Sequence, residues 1–200
     1  MRAALKLKGE LEQRRGRERE LLNFLSSWGD RRATLWIDEA TGLFVGEVAE
    51  AYLTADSQHG NAELVSVITL IIDRLEAIKS SQGEKVARAI QVQVAKLVRA
   101  TAATIGVVAA CYRNGLIVIV APELGAASAQ KLAQSLRAAI AELGIGNREL
   151  LAADHVTASA AVVTGRARGG PDRAKFLMQA IASVQRGTAD GGDRMMSQID

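Results

Sequence analysis

Apolar residues in this chain follow strand spacing in some segments and helix spacing in others. The run from Leu64 to Ile72 is continuous and rich in β-branched residues, which is typical of a strand buried on both faces. Two further apolar runs flank Arg113-Asn114-Gly115, and Asn-Gly is a strong hairpin signal. The pattern predicts strands over 64–73, 107–112, 116–120, 155–163 and 195–199.

Other segments carry apolar residues at helical spacing. Between residues 84 and 103, Val86, Ile90, Val94 and Leu97 recur in this way, as expected of an amphipathic helix. The predicted helices cover 3–28, 43–54, 84–103, 126–143 and 172–186. This order of elements indicates one central sheet with helices packed against it.

The basic excess of the chain lies in its amino-terminal part. Residues 1–32 contain nine of the 25 Lys and Arg and five of the 22 Asp and Glu, a balance of +4, which leaves 16 basic and 17 acidic residues and a balance of −1 elsewhere. A near-neutral body does not favour nucleic-acid binding. We expect residues 1–30 to form a helical linker and residues 31–200 to form one domain.

The cysteine count and the lack of long apolar runs indicate the cellular compartment of the protein. Cys111 is the single cysteine, so an internal disulfide is excluded and a reducing cytoplasm fits. Charged or polar residues interrupt every apolar run before it reaches the length of a membrane span. We therefore expect a cytoplasmic protein without a membrane span.

Five short segments share a resemblance, in order and in spacing. Thr-Gly-Leu follows Asp38, Val-Thr-Ala-Ser-Ala-Ala-Val begins at Val156, and Gly-Gly-Asp-Arg-Met ends at Met195. With the segments 73–78 and 110–122, they resemble the GGDEF family, the diguanylate cyclases, over most of the chain after residue 35. The resemblance implies an α/β (α+β) fold with a central five-stranded, mainly antiparallel sheet surrounded by helices, behind an amino-terminal linker helix. It also implies a bacterial protein of cyclic di-GMP signalling.

The departures from the family pattern affect its metal site. In an active member, a carboxylate at a strand end and an acid in the hairpin turn hold metal ions on the GTP phosphates. The first acid aligns with Ile71, and the two acids of the signature align with Gly115 and Leu116. Magnesium requires hard oxygen ligands, so the resemblance implies a degenerate domain without catalytic residues, metal or cofactor.

Other positions that contact nucleotide in the family are also changed. The guanine-reading Asn and Asp align with Lys79 and Arg88, and the lysine of the last helix aligns with Thr188. The inhibitory product site, Arg-x-x-Asp, aligns with 104–107, which reads Thr-Ile-Gly-Val. These changes predict weak or absent recognition of GTP and of cyclic di-GMP.

We therefore expect a catalytically inactive GGDEF-like domain that acts as a regulatory or scaffolding module through protein contacts. The expected partner is another protein, or a second copy bound through the amino-terminal helix, with a nucleotide as a weak ligand. A sensor that binds GTP or cyclic di-GMP without turnover is the alternative, and an active cyclase ranks last. The residues that would keep a vestigial nucleotide contact are Asp73, Arg113, Asn114, Gly115 and Arg194.

Overall fold

The structure is a computed structural model. It describes residues 36–54, 63–105, 107–112, 115–146 and 155–199. The predicted helix over 3–28 and the boundary between linker and domain at residue 30 lie outside these ranges, and both stay predictions.

A mixed sheet of six strands runs through the described part of the chain, in the order β1-β3-β4-β2-β5-β6. The pairs β2–β4, β2–β5 and β3–β4 are antiparallel, and β1–β3 and β5–β6 are parallel. The strands are β1 (Phe44–Val45), β2 (Glu63–Ile72), β3 (Val108–Cys111), β4 (Leu116–Pro122), β5 (Ala158–Ala167) and β6 (Met195–Ile199). The expected class and the mainly antiparallel pairing are confirmed.

The expected count of five strands is wrong by one. The additional strand is β1, which lies within the segment that the apolar pattern predicts as the start of a helix. Phe44 and Val45 pair in parallel with Ala110 and Cys111, and the helix begins only at Gly46. A two-residue strand of aromatic and β-branched residues satisfies strand propensity, but it is too short to alter a helical pattern.

Five helices are described, and they cover both faces of the sheet. They are α1 (Gly46–Thr54), α2 (Leu75–Gln82), α3 (Glu84–Ile105), α4 (Ala126–Glu142) and α5 (Gly170–Ala189). Four of them agree with predicted helices to within a few residues. The pattern did not predict α2, which follows β2 directly after Arg74 in the left-handed conformation at φ 56.

Alternate residues of the central strand β2 face opposite layers, as the pleat of a strand requires. Ile68 and Leu70 pack in the core with α3 and α4, whereas Val65 and Val67 pack in the core with α1 and α5. The strand is thus buried on both faces, as its continuous apolar sequence predicts. The fold is a helix–sheet–helix sandwich, and the far end of β2 reaches one open end of the sheet.

Candidate functional site

A cleft of about 730 Å³ opens at the end of the sheet where β2 ends and β4 begins. The first turn of α1 and the amino-terminal half of α3 form its sides. The described residues that line it are Asp38, Thr41, Val45, Gly46, Glu47, Glu50, Ile71, Ile72, Arg88, Gln91, Ala95, Cys111, Tyr112, Gly115, Leu116, Ile117, Ile181 and Gln185.

The floor of the cleft is aliphatic. Ile71 and Leu116 are direct partners across the antiparallel pair β2–β4, so their side chains lie next to each other on one face of the sheet. Ile71, Tyr112 and Ile181 pack in the same cluster as the buried Leu116. These two paired positions align with acids of the family, and here they supply two hydrocarbon side chains.

The rim on the α1 side contains two glutamates and a tyrosine. The Tyr112 hydroxyl donates to the Gly46 carbonyl at 3.1 Å and to Glu50 Oε1 at 3.2 Å. Burial, together with the nearby charges of Glu50 and Glu47, raises the pKa of Tyr112. The phenol therefore stays neutral and fixes α1 against the end of β3.

The opposite rim contains an aspartate held by its own loop and by α3. Asp38 Oδ1 accepts from the Thr41 backbone N–H at 2.8 Å, and Asp38 Oδ2 lies 3.5 Å from Arg88 Nη2. Burial alone would raise the pKa of Asp38, but the hydrogen bonds from Thr41 and the charge of Arg88 bring it below its usual value. This carboxylate and this guanidinium therefore neutralise each other across the cleft mouth.

Cys111 lies in the cleft wall at the end of β3. The Thr41 hydroxyl donates to its Sγ at 3.6 Å, and burial raises the pKa of the half-buried thiol above 9.0. A raised pKa keeps the thiol protonated near neutral pH, so the side chain is not an activated nucleophile.

The cleft does not fit the metal ions that an active member of the family would hold. Within the described part of the chain, no group of three His, Cys, Asp or Glu side chains is arranged to hold a metal ion. Ile71 and Leu116 offer no oxygen ligand, and Asp38 and Glu50 already have partners. No catalytic step through a metal can be derived from these residues.

Asp73, the surviving acid of the strand-end pair, is not among the residues that line the cleft. It is 3% exposed and accepts hydrogen bonds from the Thr157 and Ser159 hydroxyls and from the Asp193 backbone N–H, at 2.7 to 2.8 Å. A Cβ on Gly192 would lie 2.8 Å from Asp73 Cγ, so that neighbour is restricted to glycine. Asp73 therefore joins β2, β5 and the loop that precedes β6.

The other predicted nucleotide contacts are not brought together. Gly115 lines the cleft in the left-handed conformation at φ 72, while Arg194 lies beyond Asp73 and its N–H donates to Ser159 Oγ at 3.3 Å. Arg113 and Asn114 lie outside the described residues.

The positions that align with the guanine-reading residues both hold ion pairs. Lys79 Nζ lies 2.7 Å from Glu84 Oε2, and Arg88 pairs with Asp38. The hydrogen bond to Glu84 raises the pKa of Lys79. These two cations are thus occupied by acids of the chain itself.

Two residues of the cleft, Tyr112 and Glu50, and one residue outside it, Arg137, are not predicted by the sequence pattern. Tyr112 and Glu50 join elements that are 62 residues apart, and Arg137 of α4 donates to the carbonyls of Ala158 and Asp193 at 2.9 and 2.7 Å. Their only signal in the sequence is a polar residue within an otherwise apolar strand or helix face.

The sequence of residues 35–194 matches the family described as "Diguanylate cyclase, GGDEF domain". The chain belongs to the GGDEF family. No curated protein sequence is significantly similar to it.

Solved GGDEF structures share this fold. The coiled coil and GGDEF domain of DgcB from Caulobacter crescentus, in complex with c-di-GMP, superposes with a TM-score of 0.70 at 17% identity, over 96% of this chain and 99% of that chain. The diguanylate cyclase SiaD from Pseudomonas aeruginosa, in complex with its activator SiaC, gives a TM-score of 0.66 at 15% identity, over 98% of this chain and 72% of that chain.

An active GGEEF domain of a diguanylate cyclase from Vibrio cholerae gives a TM-score of 0.57 at 18% identity, over 68% of this chain and 83% of that chain. At these identities the likeness establishes the fold of this GGDEF domain. None of its described helices has the length and apolar character needed to cross a membrane.

Proposed function

We propose that this GGDEF domain does not synthesise cyclic di-GMP and acts as a regulatory or scaffolding module through protein contacts. The observation that carries the proposal is the Ile71–Leu116 pair. Two acids at these positions would hold the metal ions that neutralise the phosphates in the family mechanism. Aliphatic side chains cannot replace these acids, because they offer the metal no oxygen ligand.

The charges around the cleft also disfavour a triphosphate. The described lining residues include the carboxylates of Asp38, Glu47 and Glu50 and one guanidinium, that of Arg88, and Arg88 is paired with Asp38. Without a bound cation, these acids would repel GTP phosphates at short range. An interaction with protein is therefore favoured over nucleotide turnover.

Relatives of the same fold support a partner-based role. SiaD was solved with an activator protein, and DgcB was solved with a coiled coil attached to its GGDEF domain. We extend this to the present chain as contact with a protein partner or a second copy. The single Cys111 supports a cytoplasmic, reducing setting.

Nucleotide sensing without turnover is the second candidate function. The cleft volume of about 730 Å³ falls within the range of small-molecule sites, and several similar structures contain c-di-GMP. This candidate requires a nucleotide to bind through contacts other than the metal ligands of the family.

Calorimetric titration separates the two candidates. The purified chain is titrated with GTP and with cyclic di-GMP, each with and without Mg²⁺, beside a GGDEF domain known to bind both. We expect no heat of binding at concentrations up to about 100 µM, where a Kd near 1 µM would give a saturating signal. Saturable binding of either nucleotide would replace the interaction module with a sensor.

A further inference from the structure

Arg173 is a charged side chain in the interior of the domain. It lies in the first turn of α5 and is 8% exposed. Its Nε and Nη2 atoms are buried and have no hydrogen-bond partner among the described residues, and the ion pairs between those residues do not include it. A buried guanidinium without a counter-charge is strongly destabilising, so this cation requires a negative partner.

The Arg173 side chain lies where α5 packs against α1. Gly170 precedes it by one turn and is therefore on the same face of α5. A Cβ on Gly170 would lie 2.6 Å from the Thr54 carbonyl oxygen at the end of α1, so the two helices approach closely here. Leu177, one turn after Arg173, packs in the same core as Leu53 of α1. Because helical side chains lean toward the amino terminus, the Arg173 guanidinium is directed toward the first residues of α5.

These first residues carry backbone donors without a capping side chain. The N-cap residue is Gly169, and Pro171 has no N–H to donate. The N–H groups of Gly170 and Asp172 have no acceptor in the part of the chain that the structure describes. Asp172 Oδ2 accepts from the Arg168 N–H at 2.9 Å, on the loop before the helix. Free N–H groups and the helix dipole attract anions at such an end.

We propose that the first turn of α5 binds a small oxyanion such as phosphate or sulfate, held by the Arg173 guanidinium and by the N–H groups of Gly170 and Asp172. A guanidinium presents parallel donors that match two oxygens of a phosphate. Because Arg173 is nine-tenths buried, the site excludes the bulky groups of a nucleotide. Arg173 does not line the cleft, so the proposal is independent of the proposed function.

Thermal unfolding of the chain of residues 1–200 measures this binding. Phosphate is varied up to about 50 mM, and sodium chloride keeps the ionic strength constant so that charge screening does not change. A ligand that binds only the folded state raises Tm, and a dissociation constant on the order of 1 mM gives a shift of about 5 °C at the highest concentration. Broadening of the phosphorus NMR line reports the bound anion directly in the same samples.

Three variants assign the effect to Arg173. Arg173→Met keeps the length of the side chain and should lose the phosphate shift. Without phosphate it should be at least as stable as the natural chain, because an unpaired buried cation has been removed. Arg173→Lys keeps the charge without the paired donors and should bind phosphate about tenfold more weakly. Arg186→Met, at an exposed position in the last turn of α5, is the matched control and should keep the full shift.

Three outcomes would overturn the site. The first is a phosphate shift of equal size in Arg173→Met, which would indicate a general salt effect. The second is a natural chain whose Tm does not respond to phosphate. The third concerns Asp56, which follows Thr54 by two residues in the sequence and lies outside the described ranges. If Asp56→Asn lowers Tm in the natural chain but not in Arg173→Met, the guanidinium pairs with a carboxylate of its own chain instead of an oxyanion.

Discussion

At the scale of single residues, Asp73 stabilises the fold from a position that predicted a nucleotide contact. Asp73 is buried and accepts three hydrogen bonds from β5 and from the loop before β6. Its position in the sequence predicted a nucleotide contact. The structural role could not be predicted, because the hydrogen-bond partners lie 84 to 120 residues away in the sequence. The sequence shows that an aspartate occupies this position, but it does not show which groups donate hydrogen bonds to that aspartate.

The substitution Asp73→Asn should destabilise the domain by about 2–3 kcal/mol, as expected when charge-assisted hydrogen bonds are lost and an amide N–H₂ faces donors. Chemical denaturation followed by circular dichroism measures this change. Asp190→Asn, at an exposed position after the end of α5, serves as the matched control and should cost less than about 0.5 kcal/mol. Equal effects of the two substitutions would contradict the role of Asp73 as a buried clamp.

The contribution of Asp38 to stability should depend on pH. Its pKa in the folded chain lies below the ordinary 3.8, so the folded state favours the ionised form. The stabilisation is therefore present above 3.8 and is lost as the pH falls through the folded pKa. The difference in unfolding free energy between the natural chain and Asp38→Asn should shrink between pH 5 and pH 2, and a constant difference would refute the assignment.

At the scale of elements, strand register brings together two of the positions that align with acids of the family. The pairing of β2 with β4 places Ile71 opposite Leu116, and both line the cleft. The continuous apolar run of β2 and the Asn-Gly turn predict these strands well, because burial and turn chemistry are local signals. The sequence could not predict β1 or α2, since pairing with β3 and the conformation of Arg74 depend on contacts outside each segment.

This register predicts that metal binding can be built into the cleft. The double variant Ile71→Asp, Leu116→Glu supplies two adjacent carboxylates, and we expect it to bind Mn²⁺ in the submillimolar range, as oxygen ligands do for hard cations. Electron paramagnetic resonance of free Mn²⁺ measures this binding. The variant Ile71→Asn, Leu116→Gln has the same shape without charge and should not bind, nor should the natural chain. Equal binding by all three proteins would contradict the register argument.

At the scale of the whole molecule, the described residues have the GGDEF fold, and Ile71 and Leu116 lie side by side at the open end of its sheet. The helices pack in cores on either face of the sheet, and the cleft opens where β2 ends and β4 begins. Its floor is apolar, Arg88, the cation among its described lining residues, is paired with Asp38, and its rim carries Glu47. We interpret this combination as a fold retained for contacts with protein.

Turnover of GTP tests this account most directly. The chain of residues 1–200 is incubated with GTP and Mg²⁺, and separately with Mn²⁺, beside an active GGDEF domain, and pyrophosphate and cyclic di-GMP are measured by chromatography. The account predicts that neither product exceeds the level of a sample without protein, because Ile71 and Leu116 provide no metal ligand. Formation of cyclic di-GMP in proportion to protein concentration would contradict it.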